Sequence, residues 1–139
     1  MYLLDTNVIS ELRKAKTGKA NKKVTQWADG LSPGSMFLSA VTILELETGV
    51  LQIERRDPDQ GLLLRTWLEK QVLPTFSGRI LAVDTVVARR CAMLHVPDPR
   101  SDRDALIAAT ALCHSMAVVT RNVSDFEPTG VKVINPWKL

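Results

Sequence analysis

Four acidic residues are the part of this sequence best suited to chemistry. They are Asp5, Glu45, Asp104 and Asp125, and three of them closely follow short apolar segments. Carboxylates a few ångströms apart oppose each other's ionisation, so a cluster of them is costly unless a cation neutralises it. Hard divalent ions such as Mg²⁺ or Mn²⁺ bind carboxylate oxygens and remove that cost. If folding brings the four side chains together, we expect a divalent metal site.

The order of the apolar segments predicts the elements that position these acids. Strands are expected at 2–4, 36–40, 79–83, 117–120 and 131–134. Helical patterns lie between them, starting at Val8 and then covering 24–31, 42–53, 60–73, 84–94 and 102–115, with Pro74 as a predicted stop. Strands that alternate with helices are typical of a parallel sheet covered on both faces. We therefore predict an α/β fold, a three-layer α/β/α sandwich around a mainly parallel sheet of about five strands.

The composition is that of a globular protein. Of the 139 residues, 45% are hydrophobic and 24% are charged, which suits one domain with its own core. We predict a single domain over residues 1–139. No apolar run approaches the roughly 20 residues that cross a bilayer, and the first residues lack the basic region of a signal peptide. We therefore expect a cytoplasmic protein with no membrane partner.

Positive charge is unevenly distributed along the chain, whose net charge is +3. The longest basic segment comprises Arg13, Lys14, Lys16, Lys19, Lys22 and Lys23. A basic surface around an acidic centre suits an enzyme of nucleic acids, because cations bind phosphates while carboxylates hold metal. The pattern favours a metal-dependent phosphodiester hydrolase, although such clusters also fit solvated helix faces and loops.

Each acid taken alone also fits a structural role at a helix terminus. Thr42-x-x-Glu45 matches a capping box and Ser101-x-x-Asp104 resembles one. Acids in strand-to-helix turns nevertheless lie at the carboxyl edge of a parallel sheet, where such folds bind ligands. Asp104 has no strand directly before it, so its place depends on how its helix docks. Asp84 also follows a predicted strand, so position at a strand end alone predicts too many ligands.

Four segments in order along nearly the whole chain carry the four acids. They read Leu3-Leu4-Asp5-Thr6-Asn7, Thr42-x-x-Glu45-Leu46-x-x-Gly49, Asp104-Ala-Leu-Ile-Ala-Ala-Thr-Ala and Thr120-Arg121-Asn122-x-x-Asp125-Phe126. Together they resemble the signature segments of PIN-domain ribonucleases, most closely bacterial toxins of the VapC/FitB type. The resemblance implies a PIN-like fold and a Mg²⁺- or Mn²⁺-dependent endoribonuclease that hydrolyses RNA phosphodiester bonds.

The resemblance also assigns roles to single residues. It makes Asp5, Glu45, Asp104 and Asp125 the catalytic and metal-binding acids. Their polar neighbours become groups that support the acids or face the phosphate, and these are Thr6, Asn7, Thr120, Arg121 and Asn122. Asp84 matches a position outside the metal set, so it is interpreted as a helix cap.

The implied partners follow from the same resemblance. Toxins of this type pair with a cognate antitoxin and cut tRNA or another structured RNA with an exposed loop, which inhibits translation and growth. A homodimer and a larger toxin–antitoxin complex on operator DNA are also implied. The leucine-rich helical segments 43–53 and 62–73 fit an antitoxin groove, a dimer surface or simple core packing.

Three other functions compete with this interpretation. A non-catalytic regulatory PIN domain that binds RNA or DNA would have no need for concentrated negative charge facing phosphates. A receiver-like, Mg²⁺-binding signalling domain needs paired acids after the first strand and a lysine after the fifth, but here Thr6 follows Asp5 and Asn135-Pro136 follows the last strand. A DNA flap nuclease would need further helical elements for which 139 residues leave little room.

Overall fold

A computed structural model describes all residues, 1–139, and contains a five-stranded parallel sheet. The strands are β1 (Tyr2–Leu4), β2 (Met36–Ser39), β3 (Ile80–Leu81), β4 (Ala117–Val119) and β5 (Val133–Ile134). Their order across the sheet is β3-β2-β1-β4-β5, and every neighbouring pair is parallel. The chain thus winds outward from β1 in one direction and then in the other. The predicted α/β class and parallel sheet are confirmed.

Helices connect the strands. They are α1 (Thr6–Leu12), α2 (Lys22–Asp29), α3 (Ala40–Arg56), α4 (Pro58–Trp67), α5 (Leu73–Thr75), α6 (Thr85–Leu94), α7 (Asp102–Cys113) and α8 (Val123–Phe126). A π-helical turn, Leu68–Val72, joins α4 to α5, and short 3₁₀ turns cover Arg13–Thr17, Pro33–Ser35, Glu127–Thr129 and Pro136–Lys138. None of the helices is both long and apolar enough to cross a membrane.

The sheet separates two main clusters of buried apolar side chains. Leu4 and Leu38 pack with side chains of α1 and α3, whereas Leu3 and Val118 pack with side chains of α7. Neighbouring residues of a strand point to opposite faces, so Leu3 and Leu4 enter different layers of the core. This alternation produces the predicted three-layer arrangement.

Several predicted helix boundaries were wrong, including both ends of the helix expected at 42–53, which spans Ala40–Arg56. The helix expected at 60–73 begins at Pro58 and runs through the π-helical turn to Thr75, beyond Pro74. Pro74 directly follows the π-helical turn inside this continuous helix, and the helix ends one residue after it, at Thr75. The helix expected from 24 begins at Lys22, because the side chain of Asn21 accepts a hydrogen bond of 2.9 Å from the Lys23 amide.

Candidate active site

The carboxyl ends of β1 and β4 meet where the strand order reverses, which is where open α/β sheets bind ligands. A cavity of about 430 Å³ opens at this edge. Three of the four predicted acids line it, namely Asp5, Glu45 and Asp104. Thr6, Asn7, Arg121 and Asn122 line it as well. The fold therefore gathers residues from the whole length of the chain around one space.

Asp5 is the most deeply buried of the four acids, with 6% of its surface exposed. It caps α1, because its Oδ1 accepts a hydrogen bond of 2.8 Å from the Thr6 amide. Its Oδ2 accepts another of 2.8 Å from the hydroxyl of Thr120. Burial raises the pKa of Asp5, with smaller contributions from Glu45 and Asp125, while these two hydrogen bonds oppose the shift. The side chain of Asp5 thus both caps α1 and contributes a carboxylate to the cavity.

Glu45 projects from α3 toward the same cavity. Its Oε1 accepts a hydrogen bond of 2.7 Å from the Thr6 hydroxyl, and its Oε2 lies 3.7 Å from a guanidinium nitrogen of Arg103. The capping-box interpretation of Glu45 is wrong, because α3 begins earlier, at Ala40, and is capped by the Ser39 hydroxyl. Glu45 is therefore free of any capping role.

Asp104 reaches the site from the first turn of α7. Burial, then the charges of Asp5, Asp125 and Glu45, raise its pKa to about 6. Ser101 precedes the helix but its side chain makes no capping hydrogen bond, so the second capping-box interpretation is also wrong. Three other carboxylates thus oppose the ionisation of Asp104. A capping box with Ser101 does not explain why an acid stands at this position.

Asp125 differs from the other three acids. It lies in the short α8, is exposed and does not line the cavity, although its charge contributes to the raised pKa values of Asp5 and Asp104. No three side chains of the His, Cys, Asp or Glu types stand close enough to hold one ion directly. The acids are gathered around a common space rather than closed into a cage.

Asp84 has a different role from these acids. Its Oδ1 accepts a hydrogen bond of 2.9 Å from the Val87 amide and caps α6. Asp84 is exposed and does not line the cavity. Its interpretation as a helix cap is confirmed.

A polar network fixes the acids at the centre of the site. The hydroxyl of Thr120, itself fully buried, accepts hydrogen bonds of 3.0 Å from the Asn122 amide and 3.3 Å from the side-chain amide of Asn7. The carbonyl oxygen of the Asn7 side chain accepts a hydrogen bond of 3.2 Å from the Arg121 amide. The side chains of Asn7 and Thr120 and the backbone amides of Arg121 and Asn122 therefore belong to one connected network, which includes four of the five residues predicted to support the acids.

Comparison with known proteins places this arrangement in a family. The model of the PIN domain family matches residues 2–129. The chain belongs to the PIN domain family. It is 38% identical to VapC ribonuclease Y4jK of Sinorhizobium fredii and 39% identical to Toxin FitB of Neisseria gonorrhoeae, with 99% of each chain covered in both comparisons. The resemblance inferred from the four sequence segments is confirmed.

Solved structures support the same assignment for this PIN domain. The FitAcB structure from Neisseria gonorrhoeae matches with a TM-score of 0.90 at 38% identity, with both chains covered completely. A structure of FitAB bound to an IR36 DNA fragment matches with a TM-score of 0.89 at 38% identity, covering 100% of this chain and 97% of the other. A toxin-antitoxin complex from Klebsiella pneumoniae matches with a TM-score of 0.68 at 25% identity, covering 98% of each chain.

Four further residues of this PIN domain line the cavity, and of these the sequence indicated only Lys14, as a member of the basic segment that could bind phosphate. They are Ser10, Glu11, Lys14 and Trp137. The first three follow Asn7 at intervals of three, four and seven residues, the spacing of one helix face, so helical periodicity from Asn7 could have found them. Nothing in the spacing indicates Trp137, because its position depends on the pairing of β5 with β4.

Proposed function

We propose that this PIN domain is a divalent-metal-dependent endoribonuclease and acts as the toxin of a toxin–antitoxin pair. The observation that carries the proposal is the convergence of Asp5, Glu45 and Asp104 on one cavity, where burial and then the neighbouring negative charges raise the pKa of Asp104 to about 6. The full-length relatives named a VapC ribonuclease and Toxin FitB support the activity and the biological role.

The donor set fits a hard divalent cation. Carboxylate oxygens are the ligands that Mg²⁺ and Mn²⁺ prefer, and the mutual repulsion of these acids is relieved by added positive charge. Mg²⁺ usually keeps several waters and takes few direct protein ligands, which agrees with acids spread around a cavity. We assign Asp5, Glu45 and Asp104 as the groups that would hold the ion, and Asp125 as a more distant member of the set.

Hydrolysis requires a water to attack phosphorus while the bond to the 3′ oxygen breaks, leaving a 5′-phosphate and a 3′-hydroxyl. When bound, the ion supplies Lewis-acid polarisation of the phosphate and of the attacking water. The chain supplies orientation. Thr6 holds Glu45, and Thr120 holds Asp5, so both carboxylates are fixed before the substrate arrives. One of the acids accepts a hydrogen bond from the attacking water and aligns it.

The substrate is an RNA with an accessible single-stranded segment, such as a tRNA or another structured RNA with an exposed loop. A cavity at a sheet edge admits a strand whose backbone is splayed out, whereas the backbone of a duplex is held in a stiff helix. The cation Arg121 at the cavity provides an attraction for phosphate that offsets the repulsion of the acids.

The partner is a protein antitoxin that binds beside the site. A smaller groove of about 230 Å³ shares Thr6, Ser10 and Glu45 with the cavity and continues between α3 and α4. Exposed leucines lie on the same two helices, at Leu44, Leu51, Leu62 and Leu63. They supply apolar area for an antitoxin or for a second copy in a homodimer, and the related FitAB structure with DNA supports a complex on operator DNA.

The decisive experiment compares wild type with Asp104→Asn and Asp84→Asn on total cellular RNA. Wild type should cut with Mg²⁺ or Mn²⁺ and stop when a chelator is added. Asp104→Asn should lose at least about 100-fold in rate, because it removes one charge from the cluster. Asp84→Asn makes the same substitution at a helix cap outside the cavity, where Asn caps equally well, and should cut like wild type.

Equal cutting by Asp104→Asn and wild type would overturn the proposed site. Undiminished cutting in chelator would overturn the metal dependence alone. The toxin role has a separate test. Induction of wild type should arrest growth, whereas induction of Asp104→Asn should not. Co-expression of an antitoxin that binds the wild-type protein should also prevent the arrest.

A further inference from the structure

Two cations line the cavity, and only one of them is free to bind a phosphate. The ammonium of Lys14 lies 3.4 Å from a carboxylate oxygen of Glu11. Arg121 has no carboxylate within ion-pair distance, and its side-chain N–H groups make no hydrogen bond within the protein. Its full charge and its five donors therefore remain available at the rim of an acidic cavity.

Trp137 holds this free cation in place. The guanidinium carbon of Arg121 lies 5.4 Å from the centre of the Trp137 ring, within the range of a cation–π contact. Trp137 is itself anchored, because its amide donates a hydrogen bond of 3.0 Å to the Asn135 side chain and the adjacent Pro136 is buried. A contact with an aromatic ring orients an arginine without neutralising it, which a carboxylate partner would do.

The pair is also fixed relative to the acids. Arg121 follows β4 and Trp137 follows β5, and the Thr120 amide joins these strand ends by a hydrogen bond of 2.9 Å to the Ile134 carbonyl. The amide of Arg121 donates to the side chain of Asn7, whose Nδ2 lies 3.4 Å from Oδ2 of Asp5. The backbone of Arg121 is thus connected to the centre of the cluster through two polar contacts, and Trp137 orients the guanidinium from there.

We propose that Arg121 binds a phosphate of the RNA strand next to the one that is cut, and that Trp137 is a positioning residue that holds the guanidinium for this contact. The inference rests on the proposed nuclease function. A planar guanidinium matches two phosphate oxygens at once, which an ammonium does not. Because the acids repel a polyanion, one fixed cation beside them decides where the strand lies across the cavity.

Binding of a short, fluorescein-labelled single-stranded RNA in chelator tests the phosphate contact without cleavage. Arg121→Ala should weaken binding roughly tenfold or more, and the slope of log affinity against log salt should fall by roughly 0.7, the value for one lost phosphate contact on a single strand. Arg90→Ala removes an equal charge from the exposed surface of α6 and should retain the affinity and slope of wild type. With Mg²⁺, Arg121→Ala should raise KM more than it lowers kcat.

A double-mutant cycle tests the role of Trp137. If Trp137 acts through Arg121, Trp137→Ala should weaken RNA binding in the wild-type background and have no further effect in the Arg121→Ala background. If the ring instead stacks directly on a base, the two losses should add, and the positioning role would be overturned. Trp137→Phe keeps an aromatic face and should bind nearly as well as wild type, which also covers the case in which the alanine variant fails to fold.

Arg121→Lys separates charge from shape. The lysine should keep the salt slope of wild type but bind more weakly, because it lacks the planar fork. An unchanged affinity and slope in Arg121→Ala would overturn the inference while leaving the nuclease function intact. If Arg121→Ala binds RNA like wild type while Asp104→Asn loses cleavage, the acidic site would be confirmed and the phosphate contact of Arg121 rejected. Absence of cleavage by wild type would instead count against the nuclease function, and the binding measurements in chelator would still decide the role of Arg121.

Discussion

The hydroxyl of Thr120 donates a hydrogen bond of 2.8 Å to Oδ2 of Asp5, across 115 residues of sequence. Both groups are buried, and the contact favours the ionised form of the carboxyl, against the burial that raises its pKa. The pairing of β1 with β4 brings them together. One hydroxyl thus partly compensates the burial of the central acid of the site.

Thr120→Val removes this hydrogen bond while keeping the shape of the side chain. We expect the free energy of unfolding at neutral pH to fall by about 1–3 kcal/mol, because a buried carboxylate loses a donor. RNA cleavage should fall roughly tenfold as Asp5 loses its orientation. Urea unfolding and cleavage rates measure the two effects. Thr110→Val changes a buried threonine whose hydroxyl bonds only within α7, so cleavage should be retained there.

The stability of the metal-free protein should depend on Asp104. Its folded pKa of about 6 lies above its ordinary value of 3.8, so the folded state binds the proton more tightly than the unfolded state. This group therefore contributes most stability below its ordinary pKa, and that contribution is lost as the pH rises toward and past about 6.

Asp104→Asn removes the cost of holding an ionised carboxylate in this environment. In chelator near neutral pH the variant should therefore have a free energy of unfolding about 1–2 kcal/mol higher than wild type, allowing for solvent screening. The gain should vanish in acid, where wild type is protonated. Denaturant unfolding across pH measures it, with Asp84→Asn as the control. A variant less stable than wild type at neutral pH in chelator would contradict the raised pKa.

Added Mg²⁺ or Mn²⁺ should make wild type more stable than Asp104→Asn, the reverse of the order expected in chelator. An ion that binds only the folded protein stabilises wild type by mass action, and the increase in melting temperature should be lost in Asp5→Asn and Asp104→Asn. Asp125→Asn should keep part of the increase, because Asp125 is exposed and lies outside the cavity lining. A complete loss in Asp125→Asn would place that acid among the direct ligands.

The contact between Thr6 and Glu45 has its own test. Thr6→Val removes the donor of the 2.7 Å hydrogen bond, and we expect kcat to fall about tenfold because Glu45 is no longer aligned. Thr6→Ser keeps the hydroxyl and should restore most of the rate. If the valine and serine variants cut equally well, the alignment of Glu45 would have no part in turnover.

Gly61 sets the approach of α4 to α3. A Cβ there would lie 2.5 Å from the Cα of Glu54, so Gly61→Ala forces two helix backbones apart and should cost about 1–3 kcal/mol of stability. Gly49→Ala in α3 meets nothing within 4 Å and should instead stabilise the helix by about 0.5–1 kcal/mol. Thermal unfolding of the two variants should shift in opposite directions.

The fold class and most elements were predictable, because strand alternation and helix spacing are local properties of the chain. The acids Asp5 and Glu45 were found in the same way, since each follows a buried strand. Errors arose where an adjacent turn or a neighbouring residue, rather than the recognised motif, decides the boundary of a helix. Pro74 was predicted to end a helix but is accommodated by the π-helical turn before it, and Thr42 resembles a cap although Ser39 is the cap.

The sequence alone determined which residues are chemically able to act, because carboxyl groups, their spacing and the short strands before them are written in the order of residues. Position at a strand end did not distinguish Asp5 from Asp84, since both precede a helix, and only the resemblance of the four segments set Asp84 apart. The tertiary structure gives the physical reason, by burying Asp5 against Thr120 and leaving Asp84 exposed. It also placed Arg121 beside Trp137, because the pairing of β4 with β5 decides that the residues following these two strands become neighbours.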